Sequence, residues 1–144
     1  MVSGSNPLRQ ARLIANSKHY TFFWKRKMQS EYIFVFGSNT EGRHGKGAAL
    51  TALKNHGAIY GKAEGPQGRS YAIITKELRP WKPKITIQDV AQGVKKFLQH
   101  AQEYQEKTFY LTKIGCGLAG HNENEIKALF KNAPANVIKP KEWY

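Results

Sequence analysis

Two glycine-rich stretches hold most of the residues that could do chemistry. The first is "GSNTEGRHGKGAA" (37–49) and the second "IGCGLAGHNEN" (114–124), each following a strand-like run. Glycine lets main-chain N–H groups approach an anion closely, and a helix N-terminus behind such a loop adds partial positive charge. Two such loops at equivalent strand ends are expected to form one cleft that holds a diphosphate-like group from both sides. Neither loop is a Walker A motif, because no Gly-Lys-Ser/Thr closes it. Gly115, Gly117 and Gly120 do have dinucleotide-fold spacing, but they follow the third strand and leave about 25 residues, too few for the rest of that unit.

Side chains near these loops add reactive groups. His44 sits inside the first loop and is the best candidate for general acid–base work at a ribose or terminal phosphate. Lys76 ends the second strand and is placed to face a ligand. His121 follows the second loop and could stand in for a carboxylate. Cys116 reads as a small packing residue rather than a nucleophile. No His or Cys cluster has metal-ligand spacing, so neither a metal nor another cofactor is expected.

The elements that position these loops alternate regularly. "YIFVF" (32–36), "SYAIITK" (70–76), "TFYLTKI" (108–114) and "ANVIK" (135–139) read as strands. Between them lie helical patterns. "AALTALKNHG" places Leu50 and Leu53 inward, with Gly57 as its stop. A longer helix opens with Thr86 and Asp89 as a capping box and carries Ile87, Val90, Val94, Phe97, Leu98 and Ala101 on one face. A third starts at Asn122 and carries Ile126, Leu129 and Phe130. This alternation predicts an α/β fold, a three-layer α/β/α sandwich with a mostly parallel sheet.

The chain has 144 residues, enough for one domain, and a formal charge of +13 that favours anionic partners. Residues 1–30 hold Arg9, Arg12, Lys18, Lys25, Arg26 and Lys27 and no acid. Residues 1–29 lack periodicity and read as a basic N-terminal extension, with the domain at 30–144. Alternatively, its aromatics Tyr20, Phe22, Phe23 and Trp24 make it an arm that grips nucleic acid. A lone cysteine suits a reducing, cytoplasmic location. No run is apolar enough to span a membrane, so no membrane partner is expected.

The segments "FGSNTEGRHGKGAAL", "YAIITKELRPWKPKITIQDV" and "KIGCGLAG" resemble, in order and spacing, macro domains that bind ADP-ribose. The likeness spans about residues 31–139. It is closest to the terminal ADP-ribose glycohydrolase subgroup and extends to small macro-like proteins of phages. It implies that Asn39 lies near the first ligand-contacting loop and that Gly45, Lys46 and Gly47 lie beside the distal ribose. Ile114, Gly115, Cys116, Gly117, Leu118, Ala119 and Gly120 would form the loop whose amides hold the phosphates. Lys76 corresponds to the lysine that attacks the ribose anomeric carbon. The subgroup's acid–base aspartate follows "IGCGL", where this chain has Ala119. The resemblance implies either a hydrolase acting on an ADP-ribosyl adduct or ADP-ribose phosphate, or a non-catalytic binder of a nucleotide signal. ADP-ribosylated protein or nucleic acid is the corresponding partner.

Overall fold

β1 (Tyr32–Asn39) is the middle strand of a five-stranded sheet. The structure is a computed structural model that describes residues 32–144, so the extension expected at residues 1–29 lies outside the described residues. Along β1, Ile33 and Val35 join one apolar cluster while Phe34 and Phe36 join another on the opposite face. Burial on both faces explains why the run is apolar without alternation. β3 (Ser70–Lys76) pairs with β1 in parallel, from Phe34 opposite Ser70 to Asn39 opposite Lys76. β4 (Thr108–Leu111) pairs in parallel on the other side, from Tyr32 opposite Thr108 to Val35 opposite Leu111. β5 (Val137–Ile138) extends the sheet beyond β4, and β2 (Gly65–Gln67) runs antiparallel on the β3 edge. The order is β2-β3-β1-β4-β5.

α1 (Gly47–Asn55) covers one face of the sheet. α2 (Ile87–Glu103) and α3 (Glu123–Leu129) cover the other, giving the three-layer α/β/α sandwich. A short 3-10 turn at Lys141–Trp143 seats the buried Trp143 beside Phe130. α2 matches its sequence pattern: Val90, Val94, Phe97 and Ala101 are buried, with Ile87 and Leu98 packed at the margin. The capping box is complete, Asp89 N–H donating to Thr86 Oγ1 (3.2 Å) and Thr86 N–H to Asp89 Oδ2 (2.8 Å). Asn122 Oδ1 likewise accepts from Glu125 N–H at 3.2 Å and caps α3.

Three expectations need correction. Leu50 and Leu53 are only half-buried, because α1 turns Ala49 and Ala52 onto Phe34 and Phe36 instead. β4 ends at Leu111 rather than residue 114, where the Thr112 hydroxyl and N–H both donate to Val35 O (2.7 and 3.1 Å) and the chain turns away. β5 keeps only two residues of the expected five. β2 has no pattern to announce it, since "GPQ" neither alternates nor carries β-branched residues; an edge tolerates its proline.

Two polar clusters fix the chain where it leaves β1 and β3. The Asn39 side chain bonds the Arg43 backbone at both ends, donating to Arg43 O and accepting from Arg43 N–H, each at 2.9 Å. Beyond it, Thr40 Oγ1 donates to the Glu77 carboxylate. Arg79 engages Glu77 through Nη2 to Oε1 (3.0 Å) and Nε to Oε2 (3.1 Å), and its Nε also lies 3.1 Å from Glu41 Oε1. Glu77, whose side chain is 6% exposed, is held down to about 2 by the Arg79 guanidinium first and the Thr40 hydroxyl second.

Two outcomes follow from this packing. Phe97 is fully buried against Tyr71, Phe109 and Phe130, so Phe97→Ala is expected to lower unfolding stability by about 3–5 kcal/mol in urea titrations. Glu77 titrates lower folded than unfolded, so its contribution is present above the unfolded value of 4.5 and is lost as pH falls toward about 2. Wild type should therefore lose more stability than Glu77→Gln across that window. Equal losses would show that the cluster contributes nothing.

Candidate functional site

The cleft originates in unequal strand lengths. β4 stops opposite Val35, while β1 continues to Asn39 beside β3. The β4-facing edge of Gly37, Ser38 and Asn39 is left without a strand neighbour, and these residues line a cleft of about 610 Å³. β1 is also where the chain's path reverses: β3 lies to one side and β4 to the other, with α1 and α2 on opposite faces. Ligand crevices form at the carboxyl ends of strands at such points.

The two glycine loops meet there. Gly45, Lys46 and Gly47 from the first and Ile114, Gly115, Gly117, Leu118 and Ala119 from the second line the same cleft. Asn39 and Lys76 line it too. Gly37 makes the approach possible: a Cβ there would lie 3.3 Å from Gly115 N and 3.2 Å from Thr75 Oγ1. Gly115 itself has φ 72° and His121 Cδ2 only 3.1 Å from where its Cβ would be, so a side chain is excluded on two counts.

Main-chain donors are concentrated at both walls. α1 begins at Lys46 with no side-chain cap and no acid in its first turn. The N–H groups of Gly47, Ala48 and Ala49 therefore lack the intrahelical partners that a helix start cannot supply. In the second loop, Cys116 N–H donates to Lys113 O, Gly120 N–H to Gly117 O and His121 N–H to Gly115 O. The amides of Gly115, Gly117, Leu118 and Ala119 take no backbone acceptor among the described residues. Around these donors stand Arg43, Lys46, Lys76 and Lys113, and the lining holds no carboxylate. Lys113 Nζ is shared with Glu123 (3.5 Å) and Glu142 (3.8 Å); Arg43, Lys46 and Lys76 form no ion pair among the described residues. The arrangement is an electropositive cradle suited to phosphate oxygens.

Several expected residues lie elsewhere. His44 is fully buried and absent from the lining, with Nε2 3.1 Å from Lys62 O and 3.2 Å from Gln67 Oε1 and its ring edge-on to Phe36. Because both neighbours are acceptors, Nε2 carries the proton, and the ring braces the loop from behind rather than reaching a ligand. His121 is committed as well, Nε2 donating to Thr75 O at 2.7 Å. Cys116 turns into the core, its Sγ 3.3 Å from Ile114 O, and burial pushes the thiol up, away from the reactive thiolate. Gly120 shapes the turn without lining the cleft, and the Asn39 amide is occupied by Arg43. Among the described residues, no group of three or more His, Cys, Asp or Glu could hold a metal.

Arg43, Leu78, Thr112 and Lys113 line the cleft without having been singled out from the sequence. The signal for two of them was present: Arg43 lies inside "EGRHGKG" and Lys113 directly precedes "IGCGL". No described helix is long and apolar enough to cross a membrane.

The sequence matches no protein-family model and no curated protein. Among solved structures, the chain is similar to one described as a protein of unknown function from Bacteroides thetaiotaomicron, at 18% identity and a TM-score of 0.50. That likeness covers 76% of this chain and 88% of the other, and it speaks for the α/β fold alone.

Proposed function

We propose that the cleft binds ADP-ribose or a closely related diphosphate nucleotide and holds it without cleaving it. One observation carries the reading: unengaged amides from two loops converge on a single cleft whose charged lining is entirely cationic. A diphosphate bridges two such walls, one phosphate at the amides of Gly115, Gly117, Leu118 and Ala119 and the other toward the start of α1. The volume of about 610 Å³ suits a nucleotide-sized ligand. The choice of ADP-ribose rests on the resemblance of the loop sequences to macro domains.

Binding is favoured over hydrolysis on proton bookkeeping. A lysine nucleophile at Lys76 needs a group to accept its proton. Ala119 stands where the hydrolases that the loop resembles carry their aspartate, and the lining has no carboxylate to replace it. His44 is buried and His121 Nε2 already donates to Thr75 O. A protein with this cleft is suited to sequestering a nucleotide, free or attached to protein or nucleic acid.

Calorimetry with ADP-ribose should give saturable binding. Lys76→Ala and Lys113→Ala should each weaken it roughly tenfold, as expected for one charge-assisted hydrogen bond. Gly117→Ala meets nothing within 4 Å, so it should fold normally and report only on the ligand's approach to the loop. Absence of heat with ADP-ribose in the wild type would overturn the reading. Release of ADP-ribose from a modified protein or oligonucleotide, lost in Lys76→Ala, would restore the hydrolase.

A further inference from the structure

The segment that leaves the cleft beside β3 presents a tryptophan to solvent on a braced turn. Leu78 lines the cleft, and Arg79-Pro80-Trp81-Lys82 follows at once. Lys82 N–H donates to Arg79 O at 3.1 Å, closing a β-turn with Pro80 at its second position, where the ring presets the backbone. The first residue of the turn is anchored twice over: Arg79 N–H donates to Glu77 Oε2 (3.0 Å), and the Arg79 guanidinium engages Glu77 and Glu41. At the tip Trp81 is 76% exposed, the most exposed large apolar side chain among the described residues. Pro80, Lys82, Pro83 and Lys84 are exposed around it, and neither lysine has a carboxylate partner among the described residues.

We propose that this turn is a docking finger for single-stranded nucleic acid, with one base stacked on the Trp81 indole and the flanking phosphates on Lys82 and Lys84. The charge and the shape argue together. An exposed flat aromatic on a braced turn, followed by two cations without a carboxylate partner among the described residues, matches the alternation of base and phosphate along an open strand, and a duplex would withhold its base faces. Leu78, three residues before Trp81, lines the cleft that Lys76, Arg43 and Lys46 make cationic. The strand would thus pass the cleft mouth, and a nucleotide it carries would be delivered there. The finger itself does not depend on the cleft's ligand being ADP-ribose.

Fluorescence anisotropy with the full chain and a labelled single-stranded oligonucleotide of roughly 12 nucleotides tests this. Trp81→Ala should raise Kd about tenfold, the loss of one stacked base. The Lys82→Gln/Lys84→Gln double variant should reduce the slope of log K against log salt by about 0.7 per lysine removed. ADP-ribose affinity by calorimetry should be unchanged in both variants, which separates failure of the finger from failure of the cleft. Unaltered oligonucleotide binding in Trp81→Ala overturns the proposal, including the case where loss appears only with an acidic peptide or anionic vesicles. Equal loss of ADP-ribose and oligonucleotide binding also overturns it, because Trp81 would then read the base of the cleft's own ligand.

Discussion

The cleft depends on β1 being longer than one of its two parallel neighbours. Pairing with β3 runs from Phe34 to the strand's end at Asn39, while β4 lets go at Leu111. Thr112 makes the break definite by placing both its hydroxyl and its N–H on Val35 O. From that point the second loop must leave the sheet, and it departs over Gly37, where the absence of a side chain lets the Gly115 amide come close. A fourth strand of equal length would have filled the space with a ladder and left nothing for a ligand.

Around this gap the loops divide labour between side chains and main chain. The Asn39 amide, the Thr40 hydroxyl, His44 Nε2 and His121 Nε2 bond to the protein itself, holding each loop at its base. The main chain between those anchors is what faces the cleft, joined by four cations that come from three segments. Acidic residues are kept outside the cleft: Glu77 and Glu41 grip Arg79, and Glu123 and Glu142 restrain Lys113 from behind. Backbone donors fixed in this way need little reorganisation when an anion arrives, which is the condition under which such donors are most effective.

Periodicity made most of this architecture readable before any coordinates. α2 carries a strict apolar stripe and a capping box, and both are realised residue for residue. The two glycine loops were legible because so many side chains are missing at equivalent strand ends. His44 was not, because a histidine inside a glycine loop looks the same in sequence whether its ring turns outward or is captured by Gln67 from 23 residues away. The early end of β4 was invisible for a related reason: "LTKI" keeps strand-like residues, and only the pairing with β1 decides where the ladder stops. Arg43 and Lys113 stand inside or beside the glycine loops in sequence, but charge alone does not say which lysines and arginines in a basic chain converge.

The contact beneath α1 has a bearing on ligand size. Ala49 and Ala52 meet the large rings of Phe34 and Phe36, so the smallest side chains sit on the helical side of that interface. Helix-to-sheet spacing follows the bulk of the residues in contact. These alanines therefore act as a shim under one jaw of the cleft, since the amides of Gly47 to Ala49 ride on the same helix. Thickening the shim at Ala52, which is fully buried, would raise that jaw without altering a single ligand-facing atom. The gauge of the cleft is in this sense written at a position no ligand touches, and related chains could retune it there while keeping both glycine loops intact.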